Sequence, residues 1–354
     1  MGLEITPRTV PTAYRSSELS RSAARAAVAA GELTVVRRGA LVPPPTATTV
    51  WARDEERALA MIASAARRLS GQAVFSHASA ALLHGLWLWS VPDVPEVTQR
   101  HRPNSHGART LRRHHTELAA DDVTTVSDLR VTTIERTIVD CARRMHPRDA
   151  LVVADSGMRA LIGANRFRRT DQADADERLR ERLLALVGTG PGHGRRRARA
   201  VIEAADPYSE SPMETALRWI AVSRGLPRPT TQLPVRTRGG TFYADLGWRW
   251  SVTHPDGTTT FITVLLEYDG ELKYLPGSGL VTSVEESSAT VVAEKRREDL
   301  IREGSGTTVL RFSRDDLHDP AATFRRMLAA VPQSVRQDLQ PVAELLAGPT
   351  RTSR

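Results

Sequence analysis

Two strand-like segments joined by a tight turn constrain the fold of this chain more than any other feature of its sequence. Residues 241–250 and 260–268 have the composition of strands, and HPDG at 254–257 is a strong turn signal. The segments are therefore predicted to pair as antiparallel strands. Asp245 and Glu267 lie too far from the turn to be expected opposite each other without a bulge. Their side chains can still converge at one end of the sheet.

Acidic residues at the end of the second strand are the first candidates for chemistry. Glu267 and Asp269 follow an apolar run, and on a continuing strand residues two apart share a face. Buried carboxylates are costly unless neutralised, and Mg²⁺ neutralises them while activating water and stabilising a phosphodiester. Glu214, on the helix predicted before the strands, could hold a metal-bound water. The alternative is that Glu267 and Asp269 pair with Arg296 or Arg297.

The basic residues are distributed unevenly along the 354-residue chain. Of 49 Lys+Arg, only Lys273 and Lys295 are lysines, which leaves 49 − 2 = 47 arginines, and a GC-rich genome is the simplest explanation of that bias. Residues 1–200 carry 31 basic and 21 acidic side chains, a net charge of +10, whereas the remainder carries 18 and 20, a net charge of −2. Arginine-rich surface is typical of nucleic-acid binding. The asymmetry indicates at least two functional modules, and double-stranded DNA is the partner we expect.

Length and composition narrow the class of protein. A chain of 354 residues corresponds to about two to three domains. No apolar stretch approaches the ~18–20 residues that span a bilayer, and the N-terminal stretch lacks the apolar region of a signal peptide, so neither membrane insertion nor secretion is expected. The single cysteine, Cys141, excludes an internal disulfide framework and favours a cytoplasmic location. Cys141 itself is predicted to be a small core residue.

The first 47 residues are predicted to form a winged helix-turn-helix. Residues 12–42 have the pattern of two short helices and a β-hairpin, with Ser20 as N-cap of the second helix and Gly31 as its stop. Four arginines are candidate DNA contacts, two on this helix and two at the hairpin tip: Arg21, Arg25, Arg37 and Arg38. The alternative is a small helical cap with solvated arginines.

Residues 48–161 are predicted to form an α+β domain, with helices at 54–69, 76–86, 133–144 and 148–161 and strands at 94–99 and 110–115. Seven of the ten histidines fall in this stretch: His77, His84, His101, His106, His114, His115 and His146. None has the fixed spacing of a zinc motif, so packing or phosphate contact is predicted rather than metal binding.

Residues 162–200 are predicted to be a linker followed by the start of a basic helix, with GTGPGHG as a flexible turn.

Residues 201–330 are predicted to form the C-terminal domain, followed by a tail over 331–354. In addition to the hairpin, the pattern predicts a helix at 211–224, a helix at 289–303, a strand at 307–312 and a helix from residue 320. The fold class is therefore α+β overall, with three modules: the winged helix-turn-helix, the middle α+β domain and a C-terminal domain. For the last, the resemblance described next implies an α/β fold with a central mixed sheet.

Four ordered motifs in this last domain carry a resemblance: SPMETALR, YADLGW, VLLEYDGELKY and EKRREDLIREGSGTTVLRF. Over about residues 206–325 the chain resembles the PD-(D/E)XK nucleases, and most closely the branch similar to very-short-patch-repair endonucleases. The resemblance implies Asp245 and Glu267 as ligands of Mg²⁺ or Mn²⁺, and Glu214 as the acidic residue of the helix.

The same resemblance assigns the rest of the catalytic set. Asp269 stands where the wider superfamily has a lysine, as is common in this branch. Lys273 stands where the branch usually has a histidine, and it could hold a phosphate as a point charge. Arg297 and Asp299 are implied motif positions of the following helix.

Motifs in the first part of the chain resemble a second family. GELTVVRRGALVP, FSHASAALLHGL and VTTIERTIVDCARRMHPRDALVVADSGMR resemble the AbiEi-type antitoxins of type IV toxin–antitoxin systems, over about residues 12–161. These are winged-helix DNA binders that repress their own operon, and the resemblance implies an operon-encoded toxin without obligatory direct contact.

Two functions follow from these patterns. The first is a DNA-binding transcriptional regulator of antitoxin type that carries a nuclease-like C-terminal domain. The second is an active Mg²⁺-dependent DNA endonuclease that its N-terminal modules direct to the target. Both predict DNA affinity that falls with salt concentration, and they differ in whether the carboxylates cleave DNA.

Overall fold

The structure, a computed structural model, describes residues 5–69, 71–100, 110–189, 192–269, 306–346 and 348. The chain divides into two compact units, which are treated separately. The N-terminal unit contains residues 5–163 and Gln172–Glu203, and the C-terminal unit contains Ala164–Asp171 and Ala204–Gly348. Helices and mixed sheets occur together, which confirms the predicted α+β class.

The N-terminal unit begins with a small sheet and two helices. Its elements are β1 (Tyr14–Arg15), α1 (Arg21–Ala29), β2 (Thr34–Arg37), β3 (Ala40–Val42) and α2 (Val50–Ala66). The three strands pair antiparallel in the order β1-β3-β2. Ser20 caps α1 by accepting a hydrogen bond from the Ala23 N–H at 3.1 Å, and Gly31 follows the helix with a φ of 74°. The second predicted helix and the hairpin are thus present.

The first predicted helix of the helix-turn-helix is absent. Residues 5–20 contain β1 instead, in which Tyr14 pairs with Leu41. Pro7 and Pro11 bias the residues before them towards extended backbone and cannot donate a helical hydrogen bond. Sheet pairing with β3 therefore takes the place of a helix in this part of the unit.

A second, five-stranded sheet forms the centre of the N-terminal unit. Its elements are β4 (Val74–Phe75), α3 (His77–Leu83), β5 (Glu96–Gln99), β6 (Arg112–His115), β7 (Val123–Val126), β8 (Leu129–Thr132), α4 (Ile134–Arg144) and α5 (Pro147–Ile162). The strand order is β6-β5-β4-β8-β7; β5 runs parallel to β6 and β4 to β8, and the other pairs are antiparallel. Helix α3 packs on this sheet through Leu82 and Leu83, which share a buried cluster with Val97 and Val131.

The stretch 162–200 is more ordered than the predicted linker. Helices α6 (Ala173–Thr189) and α7 (Arg195–Ala204) occupy most of its described part. Leu179, Leu183 and Val187 recur every four residues and are buried, which gives α6 an apolar face that packs within the N-terminal unit. The alternating charges of this segment lie on the remaining faces of the helix.

The C-terminal unit is built on a four-stranded mixed sheet. Its elements are α8 (Pro212–Ser223), β9 (Thr230–Thr237), β10 (Gly240–Thr253), β11 (Thr259–Tyr268), β12 (Thr307–Phe312), α9 (Arg314–His318), α10 (Pro320–Ala330), α11 (Gln333–Gln337) and α12 (Ala343–Leu346). The strand order is β12-β11-β10-β9, with β11 and β12 parallel and the other pairs antiparallel. The predicted hairpin and the predicted mixed sheet are confirmed. The helix predicted at 289–303 lies outside the described residues.

The hairpin register differs from the expectation for Asp245 and Glu267. The pairs run without a shift from Thr253 opposite Thr259 to Leu246 opposite Leu266. One further step brings Asp245 opposite Glu267, since each lies eight residues from the turn (253 − 245 = 267 − 259 = 8). The expectation that a bulge would be needed is therefore wrong, because all eight pairs of the hairpin keep one register.

The described part of the predicted tail packs into the C-terminal unit. Val331 and Leu345 are buried, and the Trp219 Nε1–H donates a hydrogen bond to the Leu345 carbonyl at 2.9 Å. Residues 331–346 thus contribute to the core around α8. Along the described ranges of the chain, no helix combines the length and the apolarity that crossing a membrane requires.

Gly157 permits the close packing of α5 on α4, and this gives a test of the N-terminal core. A Cβ at this position would lie 2.7 Å from Ile138 Cδ1 and 3.2 Å from Ile134 Cγ2. We expect Gly157→Val to lower the free energy of unfolding by about 1–3 kcal/mol through overpacking. Chemical denaturation measures the change. Gly188→Val on α6 is the matched control, because nothing lies within 4 Å of its Cβ position; equal losses in both variants would contradict the packing described.

Candidate functional site

The N-terminus of α8 fixes the position of Glu214. Ser211 is the N-cap and Pro212 the first helical residue. The Glu214 N–H donates to Ser211 Oγ at 3.2 Å, which is the N-cap bond, and the Ser211 Oγ–H donates to Glu214 Oε1 at 3.0 Å. The Glu210 N–H also donates to Glu214 Oε2, at 2.9 Å. The carboxyl group is therefore held in one orientation by its own helix terminus.

Gln232 on β9 links Glu214 to an arginine. Its Nε2 donates to Glu214 Oε2 at 3.3 Å, and its Oε1 accepts a hydrogen bond from Arg166 at 2.7 Å. Gln232 is buried and has a φ of 52°, in the left-handed region. Such a backbone costs a non-glycine residue on the order of 1–3 kcal/mol and is concentrated at functional sites. Sequence reasoning did not find this residue, since β9 itself was not predicted.

Asp245 and Glu267 lie at the end of the β10–β11 pair. Asp245 is half-buried, and its Oδ2 accepts a hydrogen bond from the Tyr268 N–H at 2.8 Å. Glu267 is buried, and its Oε2 lies 3.8 Å from Nε of Arg311, its neighbour on β12. The parallel ladder continues to Asp269, whose N–H donates to the Phe312 carbonyl at 2.9 Å. These three acidic residues thus lie together at one end of the sheet.

The cation beside Glu267 is not one that the sequence suggested. Arg311 takes this place, whereas the predicted partners Arg296 and Arg297 lie outside the described residues. Lys273 and Asp299 lie outside them as well.

The pKa of Glu214 is shifted by its surroundings. Burial, together with the charge of Asp245, raises the pKa of Glu214 to about 8. Glu214 therefore keeps its proton at neutral pH in the ion-free site. A divalent cation would favour the ionised form, so an oxygen-only donor set of this kind fits Mg²⁺, which takes one or two carboxylates and completes its shell with water.

The carboxylate oxygens of Glu214, Asp245 and Glu267 do not form a group as compact as the ligands of a bound ion. Among the described residues, one group of three side chains has all its ligand atoms within 4.8 Å of one another, and it is His77, Glu96 and His114 of the N-terminal unit. Two ligands, Asp245 and Glu267, remain compatible with a hydrated ion.

The four arginines predicted to contact DNA differ in their exposure to solvent. Arg21, Arg25 and Arg38 are exposed. Arg37 is half-buried: its Nε donates to Ser64 Oγ and its guanidinium donates to the Ser64 carbonyl at 2.6 Å. Burial lowers the pKa of Arg37. Arg37 thus anchors the hairpin to α2 in this structure, whereas Arg38 at the tip is available to a ligand.

The histidines of the N-terminal unit fall into separate groups. His84 follows the predicted packing role, because its Nε2 forms a hydrogen bond with the Thr132 carbonyl at 2.7 Å. His77 and His114 instead come together with Glu96. Parallel pairing places Thr98 opposite His114, so the cluster depends on adjacent strands and has no signal in sequence spacing. His101 and His106 lie outside the described residues.

Cys141 is confirmed as a core residue. It is fully buried, and burial raises the pKa of its thiol well above the usual range. A thiol of this kind is unreactive, since the thiolate is the nucleophile and the metal ligand.

Comparison with known proteins gives a distant likeness. No protein-family model matches the chain. Two uncharacterized proteins of Mycobacterium tuberculosis, MT2308 of strain CDC 1551 / Oshkosh and Rv2248 of strain H37Rv, are each 29% identical to it over 113 residues. That region is 32% of this chain and 36% of each relative, so the chain spans about a third of the length of the curated relatives it matches.

The raised pKa of Glu214 predicts how stability depends on pH. A carboxyl whose folded pKa lies above its unfolded value binds more protons when folded, so stability falls as pH rises from about 4.5 to about 8. We expect Glu214→Gln to reduce this loss. Denaturant unfolding at pH 5, 6.5 and 8 measures the slope, with exposed Asp338→Asn as control. A slope unchanged in Glu214→Gln would contradict the assigned pKa.

Proposed function

We propose that this chain is a DNA-binding protein whose C-terminal unit hydrolyses phosphodiester bonds with a divalent metal ion. The observation that supports the proposal is the grouping of Glu214, Asp245 and Glu267 at one end of the mixed sheet. Burial and the Asp245 charge raise the pKa of Glu214, and the hairpin register leads to Asp245 opposite Glu267. Perturbed titration at such a cluster is typical of catalytic sites. The resemblance of the four motifs to PD-(D/E)XK nucleases supports the same reaction class.

Each acidic residue has a role in this proposal. Asp245 and Glu267 would hold Mg²⁺ or Mn²⁺, an ion that would supply activated water and offset charge on the phosphate. Glu214, which holds a proton at neutral pH in the ion-free site, would position water beside the carboxylates. Asp269 continues the acidic edge. The resemblance assigns a phosphate oxygen to the charge of Lys273, which lies outside the described residues.

The N-terminal unit supplies DNA affinity. The net charge of +10 over residues 1–200 favours phosphate contacts, and Arg21, Arg25 and Arg38 are exposed. Arg37 contributes less, because Ser64 engages its guanidinium. We place the protein in the cytoplasm on its single, buried cysteine.

A transcriptional regulator of AbiEi antitoxin type is the second candidate function. The exposed arginines of α1 and the hairpin favour it, as do the motifs of the N-terminal unit. In this case the acidic site is retained without turnover, and the partner is an operon-encoded toxin that need not touch the chain. The missing first helix of the helix-turn-helix weighs against sequence-specific reading by this fold.

Plasmid cleavage tests the proposed reaction. We expect the protein to nick or linearise plasmid DNA with Mg²⁺ or Mn²⁺ but not with EDTA. Asp245→Asn and Glu267→Gln should each lower the rate about 100-fold or more, because metal stabilisation is worth several kcal/mol and each ~1.4 kcal/mol is a factor of ten. Asp338→Asn is the control. Cleavage that both substitutions leave unchanged would rule out this site, and intact binding without cleavage would favour the regulator.

Gel shifts across salt concentrations test the DNA-binding surface. The Arg21→Ala/Arg25→Ala double variant and Arg38→Ala should weaken binding and reduce the dependence of log affinity on log salt by about 0.9 for each arginine–phosphate pair that the substitution removes. Arg37→Ala should leave that slope nearly unchanged but lower thermal stability, because it removes the hydrogen bonds to Ser64. If Arg37→Ala reduces the salt slope and leaves thermal stability unchanged, Arg37 contacts DNA rather than Ser64.

A further inference from the structure

We propose that His77, Glu96 and His114 of the N-terminal unit form a binding site for a transition-metal dication, with Zn²⁺ the ion that best suits the donors. The three residues are buried, and their ligand atoms lie within 4.8 Å of one another. Two imidazoles and one carboxylate are a common protein ligand set for zinc, and in such sites water takes a further position.

In the ion-free site, His114 and Glu96 are close enough to share a proton in a hydrogen bond. His114 Nε2 lies 2.7 Å from Glu96 Oε2. Two ligands on one tetrahedral zinc ion, each about 2.0–2.1 Å from the metal, are separated by about 3.3 Å. Replacing the shared proton by an ion therefore requires the two atoms to separate by only about 0.6 Å, a small side-chain adjustment.

Outer hydrogen bonds orient the ligands. The Nδ1 atom of His77 is 3.0 Å from Ser76 Oγ, which in turn accepts a hydrogen bond from Thr98 Oγ1 at 2.8 Å. This arrangement engages Nδ1 and makes Nε2 the ring nitrogen for an ion. Arg112 donates to Glu96 Oε1 at 2.8 Å, so Oε2 is the carboxylate oxygen that faces His114. Partners of this kind fix the tautomer and direction of metal ligands.

The backbone at His77 provides an independent indication. His77 has a φ of 53° at the first turn of α3, in the left-handed region that a buried non-glycine residue rarely adopts. This conformation costs on the order of 1–3 kcal/mol. It brings the His77 ring onto that of His114, with a centroid separation of 3.6 Å and an interplanar angle of 18°. The lone pairs of the two stacked rings lie in nearly parallel planes, so one ring must turn for both imidazoles to bind a single ion.

A small cavity of about 60 Å³ borders the two histidines and leaves room for water at a proposed ion. Its lining also includes Arg136, Asp140, Arg143, Arg144 and His193. This volume accommodates a few water molecules. The Arg136 charge is offset by ion pairs with Asp140 at 2.9 Å and Asp122 at 2.8 Å, which reduces its repulsion of a dication.

Zinc titration of the untagged full-length chain tests the site. After chelator treatment, Zn²⁺ is added in competition with a chromophoric chelator, in the Asp245→Asn/Glu267→Gln background so that the carboxylate site does not contribute. We expect one tight ion per chain. His77→Gln and His114→Gln should each weaken binding about 100-fold or more, since even outer partners of metal ligands account for 10–100-fold. His254→Gln is the matched control, because His254 lies in the exposed hairpin turn and hydrogen-bonds only to Thr260 among the side chains described around it.

X-ray absorption of the zinc-loaded, unsubstituted chain counts imidazole ligands directly and decides the matter even where a buried substitution prevents folding. Two imidazoles are expected. The proposal is overturned if the chain binds no zinc, if either histidine variant folds and binds zinc as the parent does, or if fewer than two imidazoles are found. It is independent of plasmid cleavage, because its ligands and its readout are separate from those of the carboxylates.

Discussion

The antiparallel register of β10 and β11 is the constraint on which the C-terminal unit depends. A slip of one residue would turn the side chains of one strand to the opposite face and separate Asp245 from Glu267. Gly247 helps to hold this register, because a Cβ there would lie 2.7 Å from Leu233 Cδ2 and 2.9 Å from the Val264 carbonyl oxygen. The parallel strand β12 then brings Arg311 beside Glu267. The acidic group is thus a consequence of strand pairing.

Burial alone does not determine how a carboxyl group titrates in this unit. Burial would raise the pKa of Asp206, but the charges of Arg218, Arg228 and Arg169 bring it below the usual value. Glu214 is equally enclosed and accepts hydrogen bonds from its helix terminus, yet its pKa rises to about 8, because desolvation and the charge of Asp245 outweigh those bonds. The fold neutralises one buried acid with guanidinium groups and leaves the other beside a like charge. Such a difference is typical of acids kept for chemistry rather than for stability.

Local signals account for what the sequence predicts well. Ser211 and Pro212 start α8, and the HPDG turn sets the hairpin, since both act within a few residues. Strand β9 escaped prediction because Pro234 interrupts its pattern, which an edge strand tolerates. Strands β7 and β8 are joined by a tight turn in which Ser127 and Asp128 both have positive φ, a turn without the usual glycine. Longer-range contacts, such as that of Arg37 with a serine 27 residues away, leave no local pattern.

The two clusters differ in the ions that they suit, and this follows from how each is built. In the C-terminal unit, carboxylates at a sheet end offer oxygen alone and suit a hard, hydrated ion such as Mg²⁺. In the N-terminal unit, a helix start and two strands bring imidazoles to one carboxylate, which suits a borderline ion such as Zn²⁺. Hydrogen bonds to Ser76 and Arg112 orient the second set, whereas burial and the charge of Asp245 raise the pKa of Glu214 beside the first set. Preorganisation therefore favours tighter binding at the proposed histidine site than at the proposed carboxylate site.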